Sequence, residues 1–334
     1  MIHIIDLFAG CGGLSLGFQS AKHGEKGFKV LGAYDAWKPA VHNYSLNFDH
    51  PAFECDLSDI DFSAEHILKN APEVNMIIGG PPCQDFSHAG KRNEGSRASL
   101  TKDFATIVQR VKPKWFVMEN VDRSQKSEAF KEAREIFKKS GYGLNERVLD
   151  ASLCGAPQKR KRFFCIGLLG AEDGFLDDLI DIAIAQKPMT VREYMKEELD
   201  IDHYYRHPRN YNRRGVFSVD EPAPTIRGVN RPIPDGYPGH KNDTGCVRTE
   251  NIRALSTKER ARLQTFPKNF KWVGAKTVLE QLIGNAVPVK LGEFVAMRIL
   301  EHEARNMKKK EASPKRYSPL KYKSEDQTKT LEYA

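Results

Sequence analysis

The sequence predicts an α/β protein: a mostly parallel sheet with helices on both faces, joined to a smaller, loop-rich domain. Three observations carry this reading. Short apolar runs alternate with helix-length amphipathic stretches through the first half of the chain, as βαβ units require. The chemically suggestive residues follow those runs directly, at the carboxyl ends of strands, where open α/β sheets hold their ligands. Beyond about residue 170 the alternation stops, and a stretch rich in Pro, Arg, Asn, Gly and Tyr begins.

Taken in order, residues 2–8 read as a buried strand, followed by a glycine-rich turn and a helix over 14–22. Residues 30–34 form a second strand ending in Asp35. Residues 76–78 form another, ending in Gly79-Gly80-Pro81-Pro82. Residues 115–118 form the next, ending in Glu119-Asn120, and residues 163–168 close the series. From 189 to 250 no helical or strand period persists. Ser256 ahead of Glu259 makes a capping box for a helix reaching Gln264. Further helices are expected over 278–283 and from Pro288, suited to a first turn, to about Arg305. The expected organisation is therefore a catalytic and cofactor-binding domain over 1–170, a second domain over 171–252, helices returning to the first domain over 253–305, and a basic polar tail over 306–334.

Composition narrows the class. With 40% hydrophobic and 29% charged residues in 334, the chain is a soluble globular one. No apolar run approaches the roughly 18 residues of a membrane span. The N-terminus lacks a basic region followed by a long apolar one, so a cytoplasmic protein is expected. The six cysteines include no C-x-x-C pair, which argues against a disulfide framework and against zinc; no metal is expected. A net charge of +8 favours a polyanionic partner, although part of it sits in the tail, around Lys308, Lys309, Lys310, Lys315 and Arg316, where solvation is the simpler reading.

Four motifs carry chemistry. In Asp6-Leu7-Phe8-Ala9-Gly10-Cys11-Gly12-Gly13, glycines between a strand and a helix let backbone approach a ligand closely. Their spacing departs from the G-x-G-x-x-G of dinucleotide folds. Asp35 is placed for ribose hydroxyls, with a helix N-cap as the competing role. In Gly79 to Ser87, a double proline fixes the backbone before Cys83, a candidate thiolate nucleophile. Glu119 is a candidate acid and hydrogen-bond donor if burial raises its pKa. In Gln158-Lys159-Arg160-Lys161-Arg162, arginines two apart in extended chain share a face. Taken singly, each has a plain alternative: a buried thiol, a salt-bridged carboxylate, a solvated basic run.

Together they are specific. The order Asp-Leu-Phe-Ala-Gly-x-Gly-Gly, Pro-Pro-Cys-Gln, Glu-Asn-Val, Gln-x-Arg-x-Arg and Gly-Asn-Ala-Val-Pro resembles the DNA cytosine-5 methyltransferases, over nearly the whole chain to about residue 305. The resemblance implies a Rossmann-like S-adenosylmethionine-dependent methyltransferase fold with a target recognition domain. It implies that Cys83 adds to carbon 6 of cytosine, that Glu119 holds ring nitrogen 3 and the amino group, that Arg162 binds the base oxygen, and that Arg160 supports the neighbouring loop. For S-adenosylmethionine it implies Phe8, Gly10 and Gly13, Asp35 on the ribose, Asp56 on the adenine amino group, Leu57 on one adenine face, Pro82 and Leu100 near the sulfonium, and Asn285 and Val287 completing the site. Ala36 occupies the place of the aromatic that often follows the ribose acid, so Trp37 is not assigned to adenine.

Methylation inside a duplex requires a flipped base. Residues 84–97 resemble the family's closing loop, with Gln84, Ser87, Lys91 and Arg97 as DNA contacts. Residues 189–250 correspond to the recognition region, and Pro222 to Gly228 resembles its Thr-centred element, with Arg227 expected at a base edge. The implied partner is double-stranded DNA, met by a monomer of the bacterial restriction–modification type, with a possible cognate endonuclease. A tRNA methyltransferase is the nearest alternative, but its Cys-Phe-Thr signature is missing. A catalytically silent DNA-binding protein is opposed by the intact Cys83, Glu119 and Arg162. A nicotinamide dehydrogenase is opposed by the glycine spacing.

Overall fold

The computed structural model describes residues 1–82, 99–210, 212–247 and 251–312. In chain order the strands of the first half are β1 (Ile2–Leu7), β2 (Lys22–His23), β3 (Lys26–Asp35), β4 (Ala52–Glu54), β5 (Met76–Gly79), β6 (Trp115–Val121), β7 (Tyr142–Asp150), β8 (Gln158–Lys159) and β9 (Lys161–Leu169). All but β8 join one eight-stranded sheet of order β2-β3-β1-β5-β6-β9-β7, with β4 also paired to β3. The β4, β3, β1, β5 and β6 strands run parallel. β9 is antiparallel to both β6 and β7, and β2 is a short antiparallel hairpin on β3.

The helices are α1 (Gly13–Ser20), α2 (Lys38–Ser45), α3 (Ile60–Asn70), α4 (Ser99–Val111), α5 (Glu128–Lys139), α6 (Asp177–Ala183), α7 (Val191–Met195), α8 (Thr257–Leu263), α9 (Lys276–Asn285) and α10 (Val289–Ala312). Side-chain alternation along β1 feeds two cores. Ile4 packs with Leu14 and Phe18 of α1, Leu179 of α6, and Leu291, Val295 and Ile299 of α10. Ile5 and Leu7 pack on the other face with Ile67 of α3, Phe104 of α4, and Phe130 and Phe137 of α5.

The second region adds β10 (His203–Tyr205), β11 (Val216–Ser218), β12 (Ala223–Pro224) and β13 (Arg253–Ala254). β10 pairs with β11 and β13, while β12 pairs with β8 and so ties this region to the larger sheet's flank. A third core joins Val191, Tyr204 and Phe217 to Ala261, Leu263, Leu282 and Ile283.

The elements differ from expectation in instructive ways. β6 runs on to Val121, so Glu119 and Asn120 lie within the strand, opposite Phe164 and Phe163 of β9. The unanticipated β7 carries Asn145, Glu146 and Arg147, which break any apolar run. Beyond the expected boundary at residue 171, Leu176, Leu179 and Ile180 pack in the main core. α8 and α9 share a core with the second region and also with Cys11 and Ala40 of the first. α10 continues to Ala312, into the segment read as a tail.

Candidate active site

The site is built at the carboxyl ends of β1, β3, β5 and β6. After β1 the chain turns through Phe8 at φ +55°, Gly10 at +57° and Gly12 at +89°. The left-handed backbone at Gly10 favours glycine, and a Cβ there would meet nothing within 4 Å, which leaves an open backbone edge. Gly12 and Gly13 are also pressed by their surroundings. A Cβ on Gly12 would stand 2.4 Å from the Phe48 ring, and one on Gly13 would stand 2.3 Å from the Val287 carbonyl oxygen. The unusual glycine spacing thus follows from what presses on the turn. The same contact brings Val287, from the far end of the chain, to the first motif.

Asp35 sits beside this turn. Its Oδ2 accepts from the Gly10 N–H and its Oδ1 from the Trp37 N–H, each at 2.8 Å. Trp37, not Asp35, is the N-cap of α2, and its ring packs against the third core. Asp56 is exposed, and its Oδ1 accepts from the N–H and hydroxyl of Ser58. Leu57 is only 1% exposed and packs with Ile5 and Ile67 in the core. Pro82 and Leu100 are partly buried, and Asn285 is exposed. An open backbone edge beside a carboxylate with unused lone pairs suits a ribose-bearing cofactor, so these residues fit S-adenosylmethionine.

Beneath the turn lies a network that the motif alone did not reveal. Asp6 is 1% exposed. Its Oδ2 accepts from the Ser15 hydroxyl at 2.6 Å, Ser15 accepts from Tyr44 at 2.7 Å, and the Tyr44 oxygen lies 2.8 Å from His50 Nε2. Its Oδ1 has no partner among the described residues. Burial pushes the Asp6 carboxyl up to about 7 and the His50 imidazole down to about 4.

At the end of β6, Glu119 Oε1 lies 2.8 Å from Arg162 Nε, with both side chains largely buried. Burial raises the Glu119 pKa, and Arg162 and then Arg160 oppose that rise. A Cβ on Gly80 would stand 3.0 Å from Glu119 Oε2, and the Asn120 amide donates to the Pro81 carbonyl at 3.1 Å. The carboxyl group therefore adjoins the double proline that leads to Cys83. Cys83 itself, with Gln84, Ser87, Lys91 and Arg97, lies outside the described residues.

Arg162 also donates to the Lys161 carbonyl. Arg160 points elsewhere: at 1% exposure it donates to the carbonyls of Ile226, Gly284 and Ala286, at 2.9, 2.9 and 3.0 Å. It is a positioning residue that joins β8 to the second region and to the end of α9. Gln158 does similar work, accepting from the Ile226 N–H and donating to Gln264. Thr225 donates to the Lys159 carbonyl. Arg227 donates through Nη2 to the His207 carbonyl, and lines a cavity of about 300 Å³ with Arg206, Arg209, Arg213, Arg214 and Thr225. Five arginines round one cavity, with Glu221 as the carboxylate paired to Arg214, make a surface for a polyanion.

Comparison with solved structures fixes the class of this architecture. A putative DNA modification methyltransferase encoded within an E. coli prophage superposes with a TM-score of 0.65 at 22% identity, over 91% of this chain and 100% of that one. The Schizosaccharomyces pombe Dnmt2 methyltransferase gives 0.65 at 19%, over 90% and 98%. The fold is that of the S-adenosylmethionine-dependent methyltransferases. Within that class, the chain belongs to the C-5 cytosine-specific DNA methylase family, which it matches over residues 2–301. Among its relatives, the Type II methyltransferase M.HindV of Haemophilus influenzae is 51% identical over 300 residues, covering 90% of this chain and 96% of that protein. M.HgiDI of Herpetosiphon aurantiacus, also a Type II methyltransferase, is 53% identical over 293 residues, covering 87% and 92%. The chain is thus a cytosine-5 DNA methyltransferase dependent on S-adenosylmethionine.

Proposed function

We propose that this enzyme methylates carbon 5 of one cytosine within a particular duplex sequence, as the modification partner of a restriction endonuclease. The observation that carries the site assignment is the buried Glu119–Arg162 pair beside Gly80 and Pro81, where a carboxyl group of raised pKa meets the approach to Cys83. Cys83 supplies the thiolate that adds to carbon 6 and makes carbon 5 nucleophilic; after methylation, loss of the carbon 5 proton and expulsion of the thiolate restore the ring. Glu119 holds ring nitrogen 3 and the amino group, so that negative charge arriving with the thiolate is met by a proton already in place. Arg162 keeps Glu119 aimed and faces the base oxygen. S-adenosylmethionine, when bound, supplies the methyl group. Phe8, Gly10, Gly13 and Asp35 hold its nucleoside, with Asp56, Pro82, Leu100, Asn285 and Val287 around it.

The division of labour follows the packing. Residues up to about 188, with α10, form the catalytic unit. Residues from about 189 to 255, supported by α8 and α9, form the recognition unit that meets duplex DNA, with Arg227 at its centre. The enzyme acts as a monomer in the cytoplasm. No described helix is long and apolar enough to cross a membrane. Incubation with labelled S-adenosylmethionine and mixed-sequence duplex DNA, with tRNA in parallel, tests this reading. Label in 5-methylcytosine of DNA is expected. Full activity in Cys83→Ala, or label confined to tRNA, would sink it.

A further inference from the structure

The segment after β12 has no sheet partner of its own beyond Pro224, yet its carbonyls are not left to solvent. Three consecutive ones are each taken by a different arginine. Arg206 Nη2 donates to Thr225 at 2.8 Å, Arg160 Nη1 to Ile226 at 2.9 Å, and Arg260 Nη2 to Arg227. Arg260 is itself buried, at 5% exposure, and paired with Glu280, also buried. The Glu280 Oε1 accepts from Thr257 at 2.8 Å and from the Asn230 amide at 3.1 Å. The end of α9 presses on the same turn, for a Cβ on Gly284 would stand 2.2 Å from the Gly228 nitrogen.

This arrangement is expensive to assemble. Arg206, Arg227 and Arg260 repel one another and lose hydration. A buried ion pair such as Arg260–Glu280 adds little net stability, and its best-attested use is to fix one arrangement among several. What is fixed here is a turn without regular structure, bearing Arg227, on the cavity wall.

We propose that Arg206 and Arg260 are positioning residues for sequence reading: with Arg160 they hold the carbonyls of residues 225–227, and with Glu280 and Asn230 they lock the turn over residues 225–230 against α9. The inference rests on the reading that this turn meets DNA. It assigns the Arg206 Nη2 and the Arg260 guanidinium to the protein's own turn rather than to the duplex.

The test uses the full chain, steady-state kinetics on duplex DNA, and bisulfite sequencing of which cytosines are modified. Arg206→Met, Asn230→Ala and the double variant Arg260→Met/Glu280→Met are expected to raise KM for DNA about tenfold and to spread methylation to near-match sites, because small displacements of a reading element are costly. Affinity for S-adenosylmethionine and kcat at saturating DNA should hold. Arg206→Lys, which keeps one donor for the Thr225 carbonyl, should recover most of the loss. Should the double variant not fold, Asn230→Ala, which leaves the ion pair intact, decides that half. Wild-type KM and site preference in Arg206→Met and Asn230→Ala overturn the proposal. Arg227→Ala identifies the cause: if it shifts site preference while those variants do not, the clamp alone is wrong; if it also changes nothing, the reading of this turn as a DNA contact falls too.

Discussion

Replacing Asp6 by asparagine should change how the enzyme's stability depends on pH, by an amount the structure sets. Asp6 is fully buried, with one oxygen on Ser15 and the other without a partner among the described residues. Burial raises its pKa from 3.8 to about 7. A carboxyl whose folded pKa is raised binds its proton more tightly in the folded state. Its contribution to stability is therefore complete below about 3.8 and is lost as pH rises through about 7. The loss amounts to about 4 kcal/mol in all, with about 2 kcal/mol of it falling between pH 5 and 7. Asparagine carries no charge to bury, so Asp6→Asn should gain about 2 kcal/mol on wild type across that interval. Urea denaturation at pH 5, 6 and 7 measures the difference directly. Parallel curves for the two proteins would refute the argument, for they would mean that Asp6 is ionised in the fold and neutralised by something not among its described neighbours. His50, at the other end of the same chain of hydrogen bonds, works in the opposite sense. Its folded pKa is depressed to about 4, so its stabilising share is present above about 6.5 and is lost as pH falls through 4; its partial exposure makes that share the smaller one.

Other expectations follow from the same geometry. Gly13→Ala drives a Cβ to 2.3 Å from the Val287 carbonyl; a loss of about 1–3 kcal/mol is expected by thermal melting, together with weaker S-adenosylmethionine binding by calorimetry. Glu119→Gln should keep the fold but lower kcat by at least about a hundredfold, and in the wild type kcat/KM should fall as pH rises past the elevated Glu119 pKa. Ser256→Ala removes a capping box in which Ser256 and Glu259 satisfy each other's backbone N–H groups; about 1 kcal/mol of stability should go, with kcat unaffected. Asp35→Ala frees the Gly10 N–H and should weaken S-adenosylmethionine binding by at least about tenfold while KM for DNA stays put.

The parallel half of the sheet was legible because its strands are short apolar runs with chemistry at their ends, and because Ile4, Ile5 and Leu7 alternate between two cores. Of the antiparallel half, the apolar run of β9 was legible too, but β7 was not. In β7 the Asn145 side chain is consumed by Leu176 and Asp177, and Arg147 pairs with Asp177 and Asp181, so polar residues sit in a strand that is mostly buried. Period alone does not expose such a strand. Among candidate site residues, Asp35, Glu119 and Arg162 were singled out from motif and strand-end position, and Val287 from the order of motifs. The burial of Leu57 was not legible, since nothing in the sequence distinguishes an apolar residue packed in the core from one at the surface. Nor do arginines of the second region declare their partners. Arg206, Arg209 and Arg227 look alike in sequence, yet Arg206 and Arg227 each bind a backbone carbonyl. Asp6, read only as part of a motif, is the polar residue that holds α1 to β1.

The contact between Gly13 and Val287 has a further bearing, on how the molecule is made. A ribosome delivers the glycine-rich turn some 270 positions before the residues that close over it. Until α10 emerges, Leu14 and Phe18 lack Leu291, Val295 and Ile299, the α10 share of their core. The nascent polypeptide therefore presents sticky surface through most of its translation, when aggregation competes with folding. The glycine-rich turn gains this support only once Val287 has been made, so a truncated product ending before it would lack the contact.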